Sequence, residues 1–312
     1  MRDAAFSSRR DFLKAVSALL PLGVQKSNIT ENFNFSPNLQ SEKIGLHLGT
    51  VQQQLAEDPM NTIGLIDQLG IRSLELQDVA LLNRLHPVLT GSGFAIPSSF
   101  FPSPYISGNW NPMSAMGMKI PSNRDFEFVV DIAVQYSLSY LVMPGIFPQD
   151  RGGLDEYRQL AEKLNQAGEL CKQAGVQLCY HHQSYELQPM ENTSPLEVML
   201  GTWEADLVKL QVNTFWLSLA RIDILDFLKK NKAYLGPMHL EDMAADAPQT
   251  YRAITLPHGA HRPLGDGIIN FSAILKTEIA QSLPHYFIHL EDMDDPLGGL
   301  HSSVSYLDKL LE

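Results

Sequence analysis

From residue 42 to residue 312, short apolar runs alternate with amphipathic stretches, and the alternation repeats eight times. The apolar runs are 43–49 (KIGLHLG), 71–77 (IRSLELQ), 93–97 (GFAIP), 138–143 (LSYLVM), 176–181 (VQLCYH), 207–213 (LVKLQVN), 234–239 (YLGPMH) and 285–290 (HYFIHL). Their length and apolar character suit strands covered on both faces. Between them apolar residues recur at helical spacing, most clearly over 154–174, 223–231, 270–282 and 296–311. Gly70, Gly93 and Gly175 stand at or just before strand starts, where a helix ends on a left-handed residue. Strands that alternate with helices pair in parallel. Eight such units over about 270 residues predict an α/β fold, a single-domain (β/α)8 TIM barrel, whose usual size is about 250 residues. The alternative is a doubly wound open sheet; no G-x-G-x-x-G follows the first strand, which counts against its dinucleotide-binding form.

Composition narrows the partners. The 312 residues include 23 Lys+Arg and 35 Asp+Glu, a net charge of −12, and 44% are hydrophobic. Such a chain can bury a core, and its acidity argues against nucleic acid and against anionic lipid. Beyond residue 23 no apolar run reaches the roughly 18 residues that a membrane span needs. Neither a P-loop nor a G-x-S-x-G motif is present. A small-molecule ligand is the remaining expectation. Cys171 and Cys179 are expected as buried free thiols rather than a disulfide. A homodimer is expected only from the general frequency of dimers.

Residues 8–14 read Ser8-Arg9-Arg10-Asp11-Phe12-Leu13-Lys14, which resembles the twin-arginine export motif S-R-R-x-F-L-K at every specified position. A mildly apolar stretch, Ala15 to Gly23, follows and is too short to span a bilayer. Residues 1–41 are therefore expected to be an export signal and tether, and 42–312 the working domain, in the periplasm or cell envelope. With no A-x-A cleavage site evident, the signal could be retained as an anchor. Residues 1–41 carry five basic and three acidic side chains, so the domain alone stands at −12 − 2 = −14.

In a barrel of this kind the chemistry sits at the carboxyl ends of the strands. Those ends carry His47, then Glu75 and Gln77, then Tyr180-His181-His182-Gln183 with Glu186 beyond. Strand six ends Gln211-Val212-Asn213-Thr214-Phe215-Trp216, and the pentapeptide His-Leu-Glu-Asp-Met closes strand seven (239–243) and strand eight (289–293). Alternation along a strand puts His239 and Glu241 on one side, and Lys209, Gln211 and Asn213 on one side, which must be a polar interior. Neutral imidazole is the commonest metal ligand in proteins. His181, Asn213, His239 and His289 come from four consecutive strand ends and could converge on one cation. Residues 98–123 have no period but carry four prolines and several aromatics. The stretch is expected as an enlarged loop at the mouth, with Phe100, Phe101, Tyr105 and Trp110 either facing a sugar or packing over the barrel.

These strand ends resemble those of the xylose-isomerase-like TIM-barrel superfamily, often labelled sugar phosphate isomerase/epimerase, over roughly residues 43–311. Ile44 to Val51 is similar to the family's I-G-L-Q-L-Y-T-V, and Ile71 to Leu76 to its second strand. Tyr180 to Leu187 is similar to Y-H-N-H-x-x-E-F, Val208 to Leu217 to V-x-L-x-L-D-T-Y-W-V, and Met238 to Asp242 to L-H-L-K-D. Leu264 to Phe271 is similar to V-G-E-G-x-I-D-F, and His285 to His289 with Asp295-Pro296-Leu297 to H-Y-F-V-E…D-P-L. The resemblance implies a divalent cation (Zn, Mn, Mg or Co) at His181, Asn213, His239 and His289. It departs at Asn213, where the family has Asp, and at His289, where it has Glu. With those carboxylates gone, a base for moving a carbon-bound proton must come from Glu75, Glu186, Glu241 or Glu291. His47, Trp110, Lys209, Trp216, His258 and Arg262 are the expected substrate contacts. The implied activity is a sugar isomerase or epimerase acting on a sugar, keto-sugar or polyol. The alternatives are cleavage of a keto-glycoside by β-elimination, and a non-catalytic sugar-binding barrel.

Overall fold

A computed structural model describes residues 43–252 and 256–312; the export motif lies outside them. Eight strands close into a barrel: β1 Ile44–His47, β2 Ser73–Leu76, β3 Ala95–Phe100, β4 Tyr140–Met143, β5 Gln177–His181, β6 Val208–Asn213, β7 Leu235–Leu240 and β8 Tyr286–Ile288. Every neighbouring pair is parallel, and β8 closes the ring between β7 and β1. Each expected strand is present, and the helices between them make this the (β/α)8 architecture.

The helix following β4 shows how sequence builds the outer layer. It runs Leu154–Gln173 and buries Tyr157, Leu160, Ala161, Leu164, Gly168 and Cys171, a three-to-four-residue spacing that lays one face on the barrel. It ends before Gly175, whose φ of 75° only glycine adopts freely. Pro296–Leu311 forms the last helix as expected, whereas 270–282 divides into Phe271–Leu275 and Glu278–Ser282, with Thr277 capping the second. Both cysteines are buried and free.

β3 is longer than the sequence suggests. Pro97 reads as a strand end, yet the strand continues to Phe100 because the pairing with β2 shifts by one residue between Ser73 and Glu75. Proline is tolerated at such a bulge. A second shift lies between β6 and β7, at Leu210 and Val212, beside Gly236 and Pro237. Together the two irregularities set which side chains meet at the barrel mouth: Glu75 stands opposite Ser98, and Asn213 opposite His239. The expected enlarged loop then follows and carries two short helices, Pro104–Ser107 and Asn111–Ala115.

Candidate functional site

Glu75, fully buried near the end of β2, is the hub of the mouth. Its Oε1 accepts from Ser98 Oγ (2.6 Å) and Gln211 Nε2 (2.8 Å). Its Oε2 receives His47 Nδ1 (2.9 Å) and His239 Nε2 (2.5 Å). Burial alone would raise this carboxyl's pKa, but the charge of His239 and the hydrogen bonds from both imidazoles hold it well below the usual carboxylate range. A carboxylate can only accept, so His47 carries its proton on Nδ1 and His239 on Nε2. The same logic travels one residue further. Gln211 donates through Nε2, so its Oε1 accepts from His181 Nδ1 at 2.8 Å. Burial first, then His289, pushes His47 down to about 4, and burial with His239 and His182 pushes His181 well down, so both are neutral at pH 7. Glu75 thereby leaves Nε2 of His47 and Nε2 of His181 as bare lone pairs.

Nδ1 of His239 lies 3.3 Å from Nδ1 of His289. His289 in turn contacts Glu241 Oε1 closely. Burial would lower His289, but the Glu241 carboxylate outweighs it and lifts His289 to about 9. Glu241 feels the reverse: burial would raise it, and His289 and His261 hold it well below its ordinary value. Glu241 Oε1 also accepts from Asn213 Nδ2 at 2.8 Å, whereas Glu241 Oε2 and the Nδ1 of His261, 3.6 Å apart, are buried without a hydrogen-bond partner among the described residues.

Among the described residues two triads have metal-ligand spacing, His47–Glu75–His239 and His239–Glu241–His289. In the first, both oxygens of Glu75 already serve four donors. The second has capacity to spare in Glu241 Oε2, which has no hydrogen-bond partner among the described residues. Two imidazoles and a carboxylate suit Zn²⁺ and similar divalent ions, so the residues present fit a metal.

A cavity of about 600 Å³ opens above these strand ends, within the usual range for small ligands, about 300–1,000 Å³. His47, His181, His289, Glu291, Phe100 and Trp216 border it. The expected residues thus divide. Glu75, Glu241, His47, His181, His239 and His289 come together. Asn213 joins them through its Nδ2, while its Oδ1 caps the helix Thr214–Leu219 by accepting from Phe215 N and Trp216 N. Glu291 stands at the rim, 3.5 Å from His289 Nε2.

The remaining expected residues lie elsewhere. Glu186 is sealed off, accepting from Tyr180 Oη (2.5 Å) and Gln183 N (2.9 Å), and burial pushes it up to about 7. Lys209 sits at the opposite, amino-terminal end of β6, donates to the Ala233 carbonyl, and borders a separate hollow with Tyr140, Gln177 and Pro284. Trp110 packs on Tyr105 and Arg124. His258 is exposed beside Asp292 and Asp294, and Arg262 turns back to the carbonyls of Gly259 and His261. Ser98, hidden behind Pro97, is a further contributor, and Gln211 and His261 join the site through partners distant in the chain.

Comparison with known proteins identifies the family of this barrel. Residues 103–306 match the family described as xylose isomerase-like TIM barrel. An inosose dehydratase of Clostridium perfringens is 28% identical over 148 residues, 46% of this chain and 49% of the relative. The chain thus spans about half the length of the curated relatives it matches. A sugar phosphate isomerase/epimerase from Parabacteroides distasonis superposes with a TM-score of 0.69 at 20% identity, covering 85% of this chain and 97% of that one. The IolI protein, solved with a bound zinc atom, superposes with a TM-score of 0.60 at 12% identity, covering 86% and 98%. The family match spans well over half of the sequence, and the chain belongs to the xylose isomerase-like TIM barrel family.

Proposed function

We propose that this protein is a divalent-metal enzyme that moves a proton on a carbon next to a carbonyl in a sugar, keto-sugar or polyol. The observation that carries this reading is the convergence of His239, Glu241 and His289 below the cavity, with Glu241 Oε2 unpartnered among the described residues. Those three residues would hold the cation. When bound, it supplies positive charge against the negative charge that develops on a substrate oxygen. Phe100 and Trp216 offer apolar faces to a sugar ring, and the neutral His47 and His181 offer hydrogen-bond acceptors through Nε2. Glu291 borders the cavity and is half-exposed, which lets it reach a carbon-bound proton and pass it to solvent. Glu75, with every acceptor site engaged, holds the imidazoles in their tautomers and stays out of proton transfer.

Isomerisation or epimerisation follows if the proton returns to the substrate. Elimination follows if a β-substituent leaves instead, and the inosose dehydratase relative favours keeping that second outcome. Metal content measured after purification without chelators tests the reading. About one divalent ion per chain is expected, falling at least tenfold in His239→Ala. Uptake of solvent deuterium by keto- and aldo-sugars then separates proton return from elimination. A protein with no metal and no exchange would be a sugar-binding barrel. The twin-arginine motif further supports export, and replacing Arg9 and Arg10 by Lys should keep the protein in the cytoplasm.

A further inference from the structure

The loop after β4 turns a cation toward the cavity. Gly145 has a φ of 66°, and a Cβ there would lie 2.5 Å from the hydroxyl of Tyr185, so only glycine lets the loop close down on that ring. Tyr185 is then pinned at both polar groups of Ile146: its hydroxyl accepts from Ile146 N (2.7 Å) and donates to Ile146 O (3.1 Å). On this ring lies Arg151, its Cζ 3.3 Å from the ring centroid, with Nε and Nη2 on the Ile146 carbonyl at 3.4 and 3.3 Å. The guanidinium is thus held in place before any ligand arrives.

No carboxylate of the described residues pairs with it, unlike Arg72, Arg158 and Lys172, which pair with Asp67, Asp155 and Asp206. Arg151 is also the only Lys or Arg among the described residues that border the cavity, whereas Asp78 and Glu291 border it too. Its Nη1 is unengaged among the described residues, in a domain of charge −14 where a stray cation would readily find a carboxylate.

We propose that Arg151 binds the carboxylate of a sugar acid, at the end of the substrate remote from the carbon that reacts near His239, Glu241 and His289. A guanidinium fork matches a carboxylate in shape and charge. A phosphate, with charge near −2 and three acceptor oxygens, would face one cation in a cavity that Asp78 and Glu291 also border and is the poorer match. The inference rests on this cavity being the substrate site, but not on the reaction carried out there.

Calorimetric titration of the full chain with D-glucuronate, D-glucose and D-glucose 6-phosphate tests it. Glucuronate is expected to bind at least tenfold more tightly than either of the others. Arg151→Gln should abolish that preference, and Arg151→Lys should keep part of it. The Lys variant and circular dichroism separate a lost contact from a lost fold. Equal binding of glucuronate and glucose by the unaltered protein, or a preference that survives Arg151→Gln, overturns the proposal. A preference for glucose 6-phosphate that depends on Arg151 overturns the carboxylate in favour of phosphate. A protein that lacks metal or catalyses no exchange, yet prefers glucuronate through Arg151, would refute the proposed reaction and leave this inference standing.

Discussion

Glu75 and Glu186 are both buried carboxyls in one barrel, and their surroundings give them opposite properties. Glu75 is surrounded by donors and stays ionised. Glutamine in its place would present an N–H to at least one imidazole that now donates. Glu75→Gln should therefore switch the proton between ring nitrogens in His47 or His239, visible in nitrogen-detected NMR of the imidazoles. It should also weaken divalent-metal binding about 10- to 100-fold, the usual effect of losing an orienting partner. Unchanged tautomers would refute the hub role. Glu186 has donors too, but burial dominates and lifts it from 4.5 to about 7. Between those values the folded protein holds a proton that the unfolded chain has released, so stability is fullest below pH 4.5 and declines as pH rises through about 7. In Glu186→Gln, denaturant unfolding across that window should show a flatter pH dependence than the parent.

At the level of strands and helices, most of the architecture was legible from period alone. The eight strands, the helix Leu154–Gln173 and the glycines that end helices follow from apolar spacing and from the backbone that glycine permits. The departures come from register. Pro97 argues locally for a strand end, and only pairing with β2 reveals a bulge that carries the strand on to Ser98. Strand alternation put Lys209 and Gln211 on one side, which holds, but a side cannot tell which end of the barrel a residue occupies. The repeated pentapeptide is equally ambiguous: Asp242 accepts from Gly265, Gly267 and Ile269 N in a buried turn, whereas Asp292 is exposed with a φ of 51°. Asn213 shows an element and the site sharing one side chain. Its removal uncaps Thr214–Leu219 and strips a donor from buried Glu241, so Asn213→Ala should cost about 2–4 kcal/mol in chemical denaturation. Asn213→Asp keeps the cap but sets two carboxylates together. It should melt below the parent in chelator and recover when Zn²⁺ is added.

Across the whole molecule, the ring closes where β1 lies between β2 and β8. Gly45 is the close approach there: a Cβ would meet the Ser73 carbonyl at 2.5 Å and the Phe287 ring at 3.0 Å. Gly45→Ala should lower the melting temperature by several degrees, since overpacking costs about 1–3 kcal/mol and each kcal/mol moves a domain of this size by about 2–4 °C. Glu75 bears on the same ring. It stands on β2 and receives hydrogen bonds from residues at the ends of β1, β3, β6 and β7, so five of the eight strands meet at one carboxylate. Single replacements among those five residues cannot be summed, because each alters the partner the other four depend on. Over generations such a site resists stepwise drift. A descendant with different chemistry would have to exchange two or more of these side chains together, and its tolerated sequences would form a separate island from this one.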